Sequence, residues 1–331
     1  MTNVAINGMG RIGRAVLKII LKTSGLNLVA VNDLIPIDNI VYLLKYDSVY
    51  GRFQWDIEES SAALKIDGIN YPVFNEKDPA NLPWNKLGVD IVFECTGVFK
   101  DKKGLERHLH AGAKHVILSA PAKGDDVEMV VHGVNQVEGS GCTISCASCT
   151  TNCIAPVVEI LGRHIGVKKA ILTTIHAYTA TQALVDGPRK KMKRGRAGAC
   201  NFVPTSTGAA KATTRILPQY AGKFDGVSVR GPVPVGSLAD IVLLSEQQTS
   251  VEQINTIFIK ESESKKYKGI LGVSADSIVS SDIIEDPRAS IVDLTMTQVV
   301  DGDLIKIMSW YDNEWGYSNQ MVREALKIVT A

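Results

Sequence analysis

The segment VAINGMGRIGRAVLKIILK (Val4–Lys22) decides the first half of the fold. Val4–Asn7 is a short apolar run suited to a buried strand. Val16, Leu17, Ile19 and Ile20 then recur at the spacing of one helix face. Between them stands Gly8-Met9-Gly10-Arg11-Ile12-Gly13, a G-x-G-x-x-G. That pattern alone is weak, since ordinary turns also use glycine. Its place between a strand and a helix gives it meaning, and so does Asp33, which closes a second strand candidate, Leu28–Asp33, 20 residues past Gly13. Glycines so placed let the backbone approach a pyrophosphate at the helix N-terminus, and the carboxylate takes the ribose hydroxyls. Read otherwise, Asp33 caps a strand end. As a ribose ligand it favours NAD over NADP, because a carboxylate repels a 2′-phosphate.

Further buried strands are expected at Asp90–Gly97 (DIVFECTG) and His115–Pro121 (HVILSAP). Strands separated by helical segments predict parallel pairing with helices on both faces. After Ile154 longer alternating stretches take over, among them AILTTIHAYTA and DGVSVRGPVPVGSLADIVLL, which predict a mostly antiparallel sheet. The fold class is therefore α/β. A Rossmann-type NAD-binding domain with a parallel sheet is expected over residues 1–148. An α+β catalytic domain with a mostly antiparallel sheet is expected over 149–313, and a C-terminal helix, 314–331, rejoins the first domain.

Two domains suit a chain of 331 residues. Its 36 basic and 35 acidic residues leave a net charge of +1, which gives no reason to expect a nucleic-acid or membrane partner. The start MTNVAINGMG lacks the basic and long apolar parts of a signal peptide. A cytoplasmic protein with reduced thiols is expected.

Four of the six cysteines fall between Cys142 and Cys153. Metal binding is disfavoured, because Cys142 and Cys146 stand about 13 Å apart on an extended strand. A helix beginning near Cys149 makes that residue the better nucleophile, since free N–H groups and the dipole stabilise a thiolate there. Pro156 either kinks this helix or marks a later start to its regular part. A helix of about 21 Å from Cys149 and a returning strand of about 26 Å would bring His176 back beside the thiol. Cys142 is expected to pack as a small apolar residue. For Cys146 two readings stay open, packing or a resolving partner in C-x-x-C spacing with Cys149. The hydroxyl-rich TSTGAAKAT (Thr205–Thr213), Arg230, and six basic residues between Arg189 and Arg196 suggest anion sites.

These motifs carry a resemblance. INGMGRIGR, VNDL, ECTG, LSAPAK, ASCTTNC, TIHAYTATQ, PTSTGAAKA, VSSD and SWYDNEWGYS run in order from residue 6 to residue 318. The chain resembles the phosphorylating glyceraldehyde-3-phosphate dehydrogenases. The resemblance implies oxidation of glyceraldehyde 3-phosphate by NAD with uptake of inorganic phosphate, Cys149 as nucleophile and His176 as base. It implies one phosphate site at Ser148, Thr150, Thr207 and Gly208, another at Thr179 and Arg230, and Arg194 nearby. For the cofactor it implies Gly8, Gly10, Arg11, Ile12, Gly13, Asp33, Lys77, Ser119, Asn313 and Tyr317. No metal is implied. It also implies a homotetramer in which the Tyr178–Cys200 loop reaches a neighbouring subunit's cofactor. Departures from the family pattern stand at Cys146, Thr181 and RGPVPVGS (Arg230–Ser237). Erythrose-4-phosphate dehydrogenase is the nearest alternative. A cysteine-rich metal or redox-sensing module is the alternative from another class.

Overall fold

The computed structural model describes residues 1–137 and 142–330. The chain divides into two compact units. One gathers Met1–Val130, Gln136–Ala147 and the chain from Met321 onward, and the other gathers Val131–Asn135 and Ser148–Gln320. The division at the cysteine segment thus falls between Ala147 and Ser148. The second division falls inside the last helix, α7 (Trp315–Thr330).

In the first unit seven strands pair in parallel. Their spatial order is Glu128–Met129, Thr143–Ser145, His115–Leu118, Ile91–Glu94, Thr2–Asn7, Leu26–Asn32 and Ile69–Phe74. Ala63–Ile66 and Ile57–Ser60 extend the sheet as antiparallel strands beyond Ile69–Phe74. Helices α1 (Arg11–Ile20), α2 (Ile37–Lys45) and α3 (Lys102–His110) belong to the same unit. Val4, Ala5 and Ile6 are completely buried, as are Val92 and Phe93. Consecutive residues of a strand point to opposite faces, so these strands are covered on both sides, which is why they read as apolar runs. The first strand lies between the second and Ile91–Glu94, so the strand order reverses there. The C-terminal ends of those strands open a crevice.

Two glycines of the first turn are held by packing. Gly8 has φ +97°, and a Cβ on it would meet Thr96 N at 2.6 Å. A Cβ on Gly13 would stand 1.9 Å from the Gly8 carbonyl oxygen, a backbone atom that cannot swing aside. Gly13→Ala is therefore expected to cost about 2 kcal/mol or more of stability. Urea unfolding checks this, and a midpoint equal to that of the unaltered protein would sink it.

The second unit carries a sheet in the order Val203–Ser206, Phe224–Gly231, Val167–Ala177, Ser237–Ser245, Leu304–Tyr311, Ser290–Asp293, Leu271–Ser274. It is mostly antiparallel, as the alternation predicted. Two pairings are parallel: Val167–Ala177 with Phe224–Gly231, and Leu271–Ser274 with Ser290–Asp293. Helix α4 (Cys149–His164) follows directly on Ser148, whose hydroxyl caps it by accepting from Thr151 N at 3.1 Å. Pro156 sits inside α4, which runs on as one helix. Helix α5 (Ala209–Ile216) contacts both α4 and the Phe224–Gly231 strand, and helix α6 (Val251–Glu263) contacts α4. Among the described residues no helix is long and apolar enough to cross a membrane.

Candidate active site and dinucleotide cleft

The crevice in the first unit is a cleft of about 710 Å³ whose lining includes Gly8, Gly10, Asp33 and Lys77. Gly10 differs from its two neighbours in the motif, since a Cβ there would meet nothing within 4 Å. Its bare backbone faces open space at the start of α1, where the first N–H groups of a helix find no acceptor within the helix itself. Asp33 accepts from Met9 N with one carboxylate oxygen and from Ile35 N, at 3.0 Å, with the other. The carboxylate therefore anchors the glycine loop, and each oxygen keeps a second lone pair for a sugar hydroxyl. These residues fit a dinucleotide: a cradle that a side chain would fill, N–H donors for a pyrophosphate, and an acceptor for a ribose.

Other cofactor residues expected from the sequence sit differently. The Arg11 guanidinium turns to Asp47, 2.6 Å away, and holds that carboxyl below its ordinary value against burial, which acts the other way. Ser119 follows the His115–Leu118 strand, where its N–H donates to the Glu94 carbonyl at 3.0 Å. Asn313 and Tyr317 belong to the second unit and are buried there. Asn313 Oδ1 accepts from the Ser237 hydroxyl at 2.8 Å, which fixes the amide with its NH₂ end turned away from Ser237. Sequence reasoning missed Asn7, Asn32 and Thr96, which also line the cleft.

Gly10→Val separates the cradle from the fold. It is expected to leave the melting temperature in place and to weaken NAD binding at least ~10-fold, about 1.4 kcal/mol. Calorimetric titration checks this, and unchanged affinity would refute the cradle.

In the second unit, helix start and strand end bring two side chains together. Cys149 is the first residue of α4, and its Sγ lies 3.3 Å from His176 Nε2. His176 is set by register. It pairs with Arg230 across the parallel strands, and Arg230 Nη1 lies 2.6 Å from His176 Nδ1. The Ala177 carbonyl lies 2.7 Å from the same nitrogen. A guanidinium only donates and a carbonyl only accepts. Arg230 Nη1 also donates to the Ala177 carbonyl at 3.0 Å, which has a lone pair for each donor. With the guanidinium proton there and a proton on Nδ1, the ring donates to Ala177 as well, and Nε2 is left bare toward the thiol. Tyr311 supports the pair from below. Its hydroxyl bonds Thr150 Oγ1 at 2.9 Å and Thr174 Oγ1 at 2.8 Å, and its ring meets His176 edge-on.

The electrostatics differ from the lowered thiol expected from the helix start. Burial raises Cys149 above the ordinary thiol value, although the Arg230 charge and hydrogen bonds from Thr150 pull it down. Burial, with the Arg230 charge second, pushes His176 down to about 3. The pair in this geometry is thiol and neutral imidazole. A proton on His176 would add a second positive charge beside Arg230.

Of the residues expected to hold anions, Arg230 lies beside this pair, and the Arg194 charge also acts on His176. Thr179 Oγ1 bonds Thr181 Oγ1 at 2.8 Å, and Arg194 reaches Thr181 Oγ1 at 3.4 Å and Thr205 Oγ1 at 3.1 Å. Thr207 caps Ala209 N at the start of α5, and Gly208 has open space where a Cβ would be. The Ser148 hydroxyl is engaged by Thr151, and Thr150 is buried on Tyr311. Of the residues not anticipated, Thr174 shares the face of His176 by the period-2 rule, and Tyr311 lies in the SWYDNEWGYS motif.

The remaining cysteines separate by environment. Cys153 is fully buried against Ser290 and Ser309, and burial pushes its thiol up to about 12. Cys146 is buried in the first unit with its thiol pushed well up, chiefly by burial and next by the Glu324 charge. Cys142, expected to pack, is exposed, because the strand begins only at Thr143.

Residues 2–102 match the family described as "Glyceraldehyde 3-phosphate dehydrogenase, NAD binding domain", and residues 148–313 match its "C-terminal domain". The chain is 48% identical over 326 residues to a glyceraldehyde-3-phosphate dehydrogenase of Thermotoga maritima, with 97% of each chain covered. It is 46% identical over 334 residues to one of Borreliella burgdorferi, covering 98% of this chain and 99% of that one. To one of Streptomyces coelicolor it is 45% identical over 323 residues, with 96% of each covered. Two matched domains in order, near-complete coverage and a cleft that fits NAD carry one conclusion: the chain belongs to the glyceraldehyde-3-phosphate dehydrogenase family and uses NAD.

Proposed function

We propose that this enzyme oxidises glyceraldehyde 3-phosphate with NAD and inorganic phosphate to 1,3-bisphosphoglycerate and NADH, and that Cys149 is the nucleophile. The observation that carries this reading is the 3.3 Å approach of Cys149 Sγ to His176 Nε2 at a helix start. The thiol proton passes to the bare Nε2 of His176 while sulfur adds to the aldehyde carbon. Loss of hydride from that carbon leaves a thioester. NAD, when bound, supplies the acceptor for that hydride, and Asn313 would orient its carboxamide. Phosphate oxygen then attacks the thioester carbon, the C–S bond breaks, and Cys149 leaves as thiolate.

Arg230 couples substrate binding to this chemistry. Its charge is one reason that His176 resists protonation. A substrate phosphate held by Arg230 and Thr179 would offset that charge and make proton transfer from Cys149 easier. Arg194, Thr207 and Gly208 suit the second anion, with Ser148 and Thr150 framing the helix start.

The relatives reported above all carry the glyceraldehyde-3-phosphate name, which does not favour the erythrose 4-phosphate alternative. Exposed Leu184, Val185, Met192 and Phe202 support assembly of this chain with further copies, as a homotetramer. Light scattering on the purified protein tests that, and a monomer would refute it. The balanced charge and the lack of a membrane-spanning helix among the described residues agree with a cytoplasmic enzyme. The activity itself is tested by NADH formation from glyceraldehyde 3-phosphate with and without inorganic phosphate. Sustained turnover without phosphate would overturn the phosphorylating reaction.

A further inference from the structure

Behind the dinucleotide cleft lies a fully buried carboxylate and imidazole that the proposed chemistry does not use. Glu94 and His108 are both 0% exposed. The hydrogen-bond directions around them are forced. The Trp84 indole can only donate, and its Nε1 lies 3.0 Å from His108 Nδ1, so Nδ1 is the acceptor. A neutral ring then carries its proton on Nε2 and donates to Glu94 Oε2 at 3.1 Å. Asn7 Nδ2 donates to the same oxygen at 2.6 Å. Thr96 gives Oε1 its backbone N–H at 2.8 Å and its hydroxyl as well. Four donors meet two oxygens, the pattern that a carboxylate fills.

The pattern runs on into the walls of the cleft. With Asn7 Nδ2 committed to Glu94, Asn7 Oδ1 accepts from Asn32 Nδ2 at 2.7 Å. Asn32 Oδ1 in turn accepts from Glu76 N at 2.9 Å. Thr96 Oγ1 accepts from Val98 N at 3.0 Å. Asn7, Asn32, Glu76, Thr96 and Val98 all line the cleft. One buried anion thus orients four separate chain segments around the same space.

We infer that Glu94 is a positioning residue for NAD binding, and that His108, locked by Trp84, sets the direction of the network. The inference rests on reading this cleft as the NAD site. Glu94→Gln has nearly the same shape, but its NH₂ end faces donors on either side, so the order of amides out to Glu76 must invert. NAD binding is expected to weaken at least ~10-fold, and KM for NAD to rise by more than kcat falls. Adding Asn7→Asp moves the charge one residue along. The carboxylate so introduced can accept from the new amide at position 94, from Asn32 and from His108 Nε2, which lies 3.4 Å from Asn7 Nδ2. The double variant Asn7→Asp/Glu94→Gln is expected to recover most of the lost affinity, which a merely loosened fold would not do.

The test is calorimetric titration of the purified protein with NAD, alongside steady-state kinetics. Wild-type affinity in Glu94→Gln, or no recovery in the double variant, overturns the inference. If Glu94→Gln does not fold, His108→Leu and His108→Gln carry the same test. Leucine removes one donor to Glu94, and glutamine restores both the donor and the acceptor for Trp84. Equal NAD affinity in those two overturns the inference. Gly10→Val keeps the two readings apart. If it binds NAD normally, the cleft assignment fails; if it loses NAD while Glu94→Gln does not, only the role of Glu94 fails.

Discussion

Cys149→Ser is expected to lower the rate of aldehyde oxidation roughly 10⁴-fold or more while NAD binding is retained. The geometry explains both halves. Sulfur at this position stands on the first residue of α4 and 3.3 Å from a neutral imidazole nitrogen. A serine hydroxyl would occupy the same place, but its proton is far harder for His176 to remove. An oxygen ester would also hand its acyl group to phosphate much less readily than a thioester. The NAD cleft lies in the first unit and Cys149 in the second, so the change leaves the cleft lining untouched. Stopped-flow measurement of NADH formation, with NAD titration on the same sample, checks the result. Turnover close to wild type would refute the nucleophile assignment.

The second large effect is expected for His176→Asn, a rate loss of roughly 10²–10⁴-fold. An asparagine amide can hydrogen-bond sulfur but cannot carry its proton away. The same variant also has a stability signature. Burial and the Arg230 charge hold folded His176 down to about 3, whereas an unfolded histidine titrates near 6.5. Between those values the unfolded chain binds a proton that the folded chain refuses. The stability from a neutral His176 is therefore complete above about pH 6.5 and is lost as pH falls toward 3. Relative to His176→Asn, the wild-type protein should have about 2 kcal/mol less stability at pH 5 than at pH 7. Urea unfolding of both proteins at the two pH values reads this out, and a pH-independent difference would contradict it.

Much of the fold was legible because burial leaves a periodic trace. Val4–Asn7 and Asp90–Gly97 read as apolar runs because both faces of their sheet are covered. Ser237–Ser245 alternates because only one face is deeply buried. The pairing of Cys149 with His176 also followed from lengths alone, since a helix and a strand of similar span return the chain to its start. What sequence could not supply was register and solvation. Arg230 lies beside His176 because two parallel strands pair at those positions, and no local pattern encodes that choice. Its charge pulls the thiol down, as the helix start does, but the burial of the pair outweighs both and raises it. Thr150 was read as a phosphate ligand from its motif, but its hydroxyl is bonded to Tyr311, 161 residues away in the chain. The Glu94 network was invisible for a similar reason. Its members come from Asn7, Asn32, Trp84, Glu94 and His108, and they meet only once the parallel sheet is assembled.

The division of α7 bears on how the chain is made. Residues from Met321 onward belong to the first unit, and Met321, Val322 and Ala325 are buried in it. Synthesis proceeds from the N-terminus, and domains generally fold as units while the chain emerges. Here the unit begun first is completed after the other, because its closing helical segment is translated only after the catalytic unit. The growing chain must carry an incomplete nucleotide-binding unit, with apolar surface still uncovered, through the synthesis of the entire catalytic unit. Stop codons that remove only the last turns of α7 would leave each nascent chain permanently in that exposed intermediate, a substrate for chaperones and proteases.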